Sequence, residues 1–480
     1  MLCCAVSYCI TIAFVTPGLS SGKTVWSTAS VSWSGQRRLT RQEESDPDSE
    51  SDHESAAVHM VSESMSVHRG LYTSQPSWCS YQGVTCGSVS GSSSYASVIS
   101  INIDGLGLSG SLPSQIGSFG SLTNLSLSNN YISGSIPSSI VAMTSLVRLN
   151  AFNCALTGRI PSSIPIGSLS ALQRLYISNN HLTGSLPASI SALTGLTYLG
   201  IAANSLTGSI PASIGSLTAL RLLDLYHNQL TGSIPPSISG MTGLTYLGIA
   251  GNSLTGSIPA SIGSLTALRS LDLYHNQLTG SIPPSISALT GLTYLAFAVN
   301  TLKGSIPASI GSLVALRELH LDNSYLTGSI PPSIGACTRL TLIYLFNNYL
   351  NGSIPASIGS LVALENVHLD SNRLTGSIPP SISACTGLTL LYLFNNSLSG
   401  LIPSSMSHLT SLQNLDLHSN YLTMGTSTVV PTSTFSAATS AGTLDLSSNC
   451  LVYRSSAHPS QNTNATHCRA ISCKSSVSCR

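Results

Sequence analysis

Charge is what this sequence most lacks. Asp, Glu, Lys and Arg make up 7% of its 480 residues, against about a quarter in an average soluble domain. Only three lysines occur, Lys23, Lys303 and Lys474, and 18 basic residues against 17 acidic ones leave a formal net charge of +1. That balance gives no electrostatic footprint for nucleic acid or an anionic membrane. Aromatics are also scarce, at 6%. Beyond the extreme N-terminus no window of about 18 apolar residues runs uninterrupted, which excludes an internal membrane span. What remains is Gly, Ser, Leu and Thr, the composition of a repeat array.

The period is 24 residues. In the pattern L-x-x-L-x-L-x-x-N-x-L the asparagine falls at Asn130, Asn180, Asn204, Asn228, Asn252, Asn276, Asn300, Asn348, Asn372, Asn396 and Asn420, with Cys154 and Ser324 in the same phase. Leu106 marks an opening turn, and Asn449 closes the series after a longer gap. Each unit puts leucines such as Leu220, Leu223 and Leu225 on one face of a short strand, leaving Arg221, Asp224 and Tyr226 to solvent. One strand cannot bury its face alone, so coils must stack and bury it jointly. The fold class expected is an α/β repeat solenoid, a curved superhelix of about 15 coils with a concave parallel β-sheet. The return carries prolines from Pro211 onward that forbid an ordinary helix. The marked asparagines read as buried amides serving backbone groups of neighbouring coils. A 48-residue period overlies the first, as if a two-coil block had been duplicated.

The string LTGSIPASIGSLTALRLLDLYHNQLTGSIPPSI resembles the plant-type leucine-rich repeat of receptor-kinase ectodomains and polygalacturonase-inhibiting proteins, over roughly residues 78 to 451. The resemblance implies a twisted solenoid that binds a protein, peptide or glycan ligand on its concave sheet. It also implies that Cys79 and Cys86, in SWCSYQGVTC, close a loop over the first coil as an N-terminal cap. No glycine loop with an ATP-binding lysine, and no H-R-D or D-F-G stretch, occurs in the sequence, so no kinase is expected within it.

Residues 1–21 read as a signal peptide and the acidic, Ser-rich stretch 22–72 as a disordered linker. Then follow the N-terminal cap at 73–98, the array at 99–422, an irregular Ser/Thr-rich segment at 423–443, and the last coil with a Cys-rich cap at 444–480. Cys450, Cys468, Cys473 and Cys479 allow three disulfide pairings, with zinc binding alongside His467 as the rival. Cys337 and Cys385 are two coils apart, hence about 9.5 Å or more, too far for a disulfide. Both read as buried free thiols. Sequons stand at Asn124, Asn351, Asn395 and Asn464.

Several motifs invite chemistry. Gly105, Gly107 and Gly110 spell G-x-G-x-x-G, but Pro113 stands where a nucleotide-binding helix is needed. Asp224, Asp272, Asp322 and Asp370 read as exposed carboxylates, with those in identical phase too widely spaced for a glycosidase pair and no pocket to raise a pKa. His320 and His368 are likewise too far apart to share a zinc ion. The expectation is no catalysis, no cofactor and no metal.

What survives is the concave face. Tyr226, His227, Tyr274 and His275 flank coils bearing Gly200, Ala202, Gly248, Ala250, Ala296 and Ala298; further on come His320 and Asp322, Tyr344 and Phe346, His368 and Asp370, Tyr392 and Phe394. Adjacent coils set these about 5 Å apart, as aromatic and polar groups suited to an extracellular protein, peptide or polysaccharide ligand. The alternative is a structural or surface-adsorbing protein, for cell wall or ice, using the threonine ladder Thr183, Thr207, Thr231, Thr255 and Thr279.

Overall fold

The computed structural model describes residues 79, 82–88, 96–161, 168–423, 443–447 and 449. The expected signal peptide and linker, Cys450, Cys468, Cys473, Cys479 and Asn464 lie outside them. Each coil opens with a short strand such as Leu222–Asp224. Neighbouring strands pair parallel and in register, so that Leu222 faces Tyr246, Leu223 faces Leu247 and Asp224 faces Gly248. Among the described residues sixteen strands form this sheet. Only the first, Val84–Ser88, runs antiparallel, against Ala96–Asn102; the others are the concave strands of the fifteen expected coils.

The strand alternates about Leu223. Leu223 and Leu225 point inward and are buried, while Leu222 and Asp224 share the concave face. Arg221 stands just ahead of the strand, exposed, with its guanidinium donating to the Gly243 carbonyl. The sequence phase was therefore one residue off at the strand's start.

Proline shapes the return. Pro211 is extended, at φ −66° and ψ 137°, and leads into the five-residue 3₁₀ turn Ala212–Ser216. Among the described residues every helical turn is of this 3₁₀ kind, because five residues after a proline are too few to nucleate an α-helix. Close stacking selects glycine here: a Cβ on Gly215 would lie 2.0 Å from the Ser237 carbonyl oxygen of the next coil.

Leucine and isoleucine columns fill the interior from Val98 to Leu422, with Phe297 the largest side chain wholly enclosed. Each contributes about 1.5–3 kcal/mol on burial. The asparagine column runs through this apolar stack and is satisfied throughout. Asn228 Oδ1 accepts from Leu206 N at 3.0 Å, and its Nδ2 donates to Ile201 O at 3.1 Å and Leu225 O at 3.2 Å. One amide thus clips its own turn to the previous coil. Asn449 does the same, reaching Leu422 N at 3.1 Å and Leu417 O at 2.9 Å.

Two positions break the column. Cys154 Sγ reaches only Leu127 O, at 3.2 Å, among the preceding coil's groups, and the buried Ser324 hydroxyl makes no hydrogen bond. A hydroxyl is too short to bridge the coils. Ser324→Asn should therefore restore the clip and stabilise the fold by about 1–2 kcal/mol, read as a higher urea midpoint; an unchanged or lower midpoint would refute the ladder as a source of stability. Leu106 is 41% exposed and has no equivalent role.

Cys79 and Cys86 form a disulfide with Cα atoms 5.7 Å apart. Cys337 and Cys385 are buried and free. Burial pushes both thiols up to about 11, which leaves them unreactive.

Candidate functional site

The concave surface is built from three columns, six, four and two residues before each ladder asparagine. The residue just before the asparagine belongs to none of them. His227 and His275 occupy that place with φ of 52° and 53°, as do Asn347 and Asn395 with φ of 52° at each. This left-handed turn ends the strand's alternation and swings the residue off the sheet. His227 and His275 are therefore turn residues, contrary to their expected place on the strand. Asn395 shares the turn, Asn124 opens the strand Asn124–Ser126, and Asn351 is exposed.

From Tyr294 onward the rings make one connected ribbon. Tyr294 and His320 are 5.3 Å apart between centroids, His320 and Tyr344 5.2 Å, Tyr344 and His368 4.4 Å, and His368 and Tyr392 4.7 Å. Phe346 joins at 5.7 Å from His368, Phe394 at 6.0 Å from Tyr392, and His418 stacks on Phe394 at 4.6 Å. Six successive coils contribute. These edge-on and stacked contacts hold each ring's direction. Tyr226 and Tyr274, by contrast, meet among the described residues' rings only those of His227 and His275 in their own coils, at 5.7 Å and 5.9 Å. They are isolated pairs on a part of the sheet floored by buried Gly248, Ala250, Ala296 and Ala298.

Tyr294 and His418 belong to the ribbon and were missed in the sequence. The signal was present in the recurring L-T-Y-L, whose tyrosine lies six residues before the ladder asparagine, as do Tyr198 and Tyr246. Tyr246 also alters its neighbourhood. A Cβ on Gly248 would meet the Tyr246 hydroxyl at 2.6 Å, so the phenol lies over the glycine that separates Asp224 from Asp272. Burial pushes the Tyr246 phenol well above its ordinary range, aided by those two carboxylates, and raises Asp224 and Asp272. The expectation of unperturbed carboxylates fails.

Asp322 and Asp370, expected to be exposed, are 6% and 5% exposed. Each sits two before the ladder position, so Asp370 lies between Phe346 and Phe394 in adjacent coils. Asp322 accepts from Asn323 Nδ2 at 2.7 Å, whereas Asp370 Oδ1 has no hydrogen bond. Burial lifts the Asp370 carboxyl to about 6 and depresses the His368 imidazole to about 4. The two lie 3.7 Å apart, yet a charged pair would move both the other way. Burial outweighs attraction, and between those values both groups are neutral.

A raised acid in the folded state contributes stability that is complete below the unfolded value near 4 and lost as pH rises through about 6. The depressed His368 acts oppositely over the overlapping window from about 4 to 6.5. Only a comparison between variants isolates the aspartate. Asp370→Asn should gain about 1–2 kcal/mol relative to the parent at pH 7, after allowing for solvent screening, and nothing at pH 4. Urea melts at both pH values check this; a gain independent of pH contradicts it.

A family model described as Leucine rich repeat matches residues 194–254, 218–278 and 362–422. A second, of the same description, matches 121–143, 171–193, 315–337 and 339–361. The chain is a leucine-rich-repeat solenoid. The crystal structure of a TDR receptor is 33% identical over 67% of this chain and 60% of that one, with a TM-score of 0.62. This chain thus spans 60% of the length of that solved chain. A leucine-rich-repeat protein of Leptospira interrogans is 28% identical over 73% of this chain and 90% of that one, with a TM-score of 0.58. The ectodomain of the plant membrane receptor kinase GASSHO1/SCHENGEN3 from Arabidopsis thaliana, solved with CASPARIAN STRIP INTEGRITY FACTOR 2, is 29% identical over 72% and 56%. Its TM-score is 0.36. A search of curated proteins finds no match. Among the described residues no helix of the solenoid is long and apolar enough to cross a membrane.

Proposed function

We propose that this solenoid is a secreted, non-enzymatic recognition protein whose concave face binds an extracellular protein, peptide or glycan along the ribbon from Tyr294 to His418. The ring-to-ring connection across six coils carries this reading, because it presents half-buried aromatic faces in one preformed line. Little side-chain ordering then opposes binding. The sites expected at His320, Tyr344, Phe346, His368, Tyr392 and Phe394 fall on the ribbon. Asp322 and Asp370, both buried, stand in the same column as Phe346 and Phe394, and the Tyr226 and Tyr274 coils form the ribbon's N-terminal approach.

The test is capture from extracellular fluid by the immobilised full chain, with portions of the fluid treated first by protease or by glycosidase. The treatment that abolishes retention names the ligand class. Equal, non-saturable retention from every portion contradicts recognition. The surface-adsorbing reading draws on the exposed threonines bridged in parallel, as Ser209 to Thr231, Ser233 to Thr255 and Ser257 to Thr279. That column is interrupted by Lys303 and Asn351, and among the described residues nothing links its threonines side chain to side chain as the rings of the ribbon are linked.

A further inference from the structure

The concave column four residues before the ladder position carries an aspartate at Asp224, Asp272, Asp416 and Asp445. Asp224 and Asp272 are separated by the Gly248 coil. Asp416 and Asp445 are not separated: they face each other directly across the last two strands, Asn414–Asp416 and Thr443–Asp445. Strands stand about 4.8 Å apart, and like charges directly opposite destabilise a sheet. Among the described residues no lysine or arginine comes within ion-pair distance of either carboxylate; the ion-pair partner of both is His418.

We propose that Asp416, His418 and Asp445 form a binding site for a first-row divalent cation of the zinc class at the C-terminal end of the concave face. His418 lies two residues beyond Asp416 and so on the same face. Its Nδ1 is 2.5 Å from Asp416 Oδ1 and 3.9 Å from Asp445 Oδ2, and one donor atom from each residue fits within a 4.8 Å spread. Donors around a tetrahedral zinc stand about 3.3 Å apart, given bonds of about 2.0–2.2 Å to nitrogen and oxygen. The two observed separations straddle that value, so small rotations suffice.

The ring is already aimed. Phe394 stacks on it with planes 10° apart, while the backbone N–H groups of His418 and Ser447 hold Asp416 Oδ1 at 3.1 Å and Asp445 Oδ1 at 2.8 Å. One imidazole nitrogen with two carboxylate oxygens suits zinc better than calcium or magnesium, which take oxygen donors. The cation's two charges offset the two facing carboxylates, and a further position is left to water. This inference does not depend on what the ribbon binds.

The experiment is titration of Zn²⁺, and separately Ca²⁺, into the chelator-stripped full chain, followed by calorimetry. The parent should bind one more zinc equivalent than His418→Gln or Asp445→Asn, whose affinity at this site falls by more than the roughly 10- to 100-fold cost of losing an outer-shell partner. His275→Gln, a turn residue outside the ribbon, should retain it. Melting supplies a second readout independent of affinity. Without metal, Asp445→Asn should melt at or above the parent because the facing charges are relieved; with Zn²⁺ the order should reverse. Identical zinc stoichiometry and affinity in all four proteins overturns the site. So does Ca²⁺ binding that survives His418→Gln unchanged and matches Zn²⁺, since that describes an acidic pair without the imidazole.

Discussion

Replacing Tyr344, Phe346, Tyr392 and Phe394 together with alanine should reduce retention of the captured extracellular ligand by at least roughly 100-fold. Buried aromatic anchors at an interface are typically worth about 2 kcal/mol or more each, although such losses do not add. The ring contacts centre on His368, which lies 4.4 Å from Tyr344 and 4.7 Å from Tyr392. Removing four rings therefore also removes the partners that orient it. All four are only partly buried and none belongs to the interior column, so the variant should keep its cooperative melt. Alanine at Tyr131, Tyr325 and Tyr421, which are 71%, 45% and 58% exposed on the flank, is the matched control and should leave retention intact. Equal retention by the two triple- and quadruple-substituted proteins would remove the ribbon as the site.

The second large effect concerns stability. Asn276→Ala should destabilise the fold by about 3–5 kcal/mol. The amide accepts from Leu254 N at 3.0 Å and donates to Ile249 O at 3.1 Å and Leu273 O at 3.2 Å. Alanine leaves a buried N–H and two buried carbonyls without these partners, in an interior that offers no substitute. Asn276→Asp keeps the shape and is no better at pH 7, because a carboxylate then faces carbonyl oxygens. Gln277→Ala, one residue on and exposed, should change stability by no more than about 0.5 kcal/mol. Urea unfolding measures all three. Because a solenoid can unravel from one end, a reduced slope accompanying the lower midpoint marks local rather than global loss. An Asn276→Ala protein indistinguishable from Gln277→Ala would show that the amides do not clip the coils.

The fold was legible because its period is written in residues with one physical role. Leu223 and Leu225 must be inside, Asn228 must be paired, and Pro211 must break any α-helix; stacking is the arrangement that meets all three demands. The concave site was legible only in part. Tyr344, Phe346, Tyr392 and Phe394 could be placed from phase alone, since alternation about the ladder residue fixes their face. Tyr294 escaped because the strand begins one residue later than the leucine spacing suggests. His227 and His275 were misplaced because a left-handed turn leaves no mark in a histidine. Burial of Asp322 and Asp370 depends on the neighbouring side chains, which periodicity does not describe. The Asp416, His418 and Asp445 cluster was hidden because the last coil follows a gap longer than the 24-residue period.

The account turns on where a ligand sits, and hydroxyl-radical footprinting of the full chain with and without its captured ligand measures that directly. Oxidation of Tyr344, Phe346, Tyr392 and Phe394 should fall on binding, while that of Tyr131, Tyr325 and Tyr421 stays the same. Protection confined to the flank tyrosines, with the ribbon still fully oxidised, would place recognition on another surface and contradict the reading.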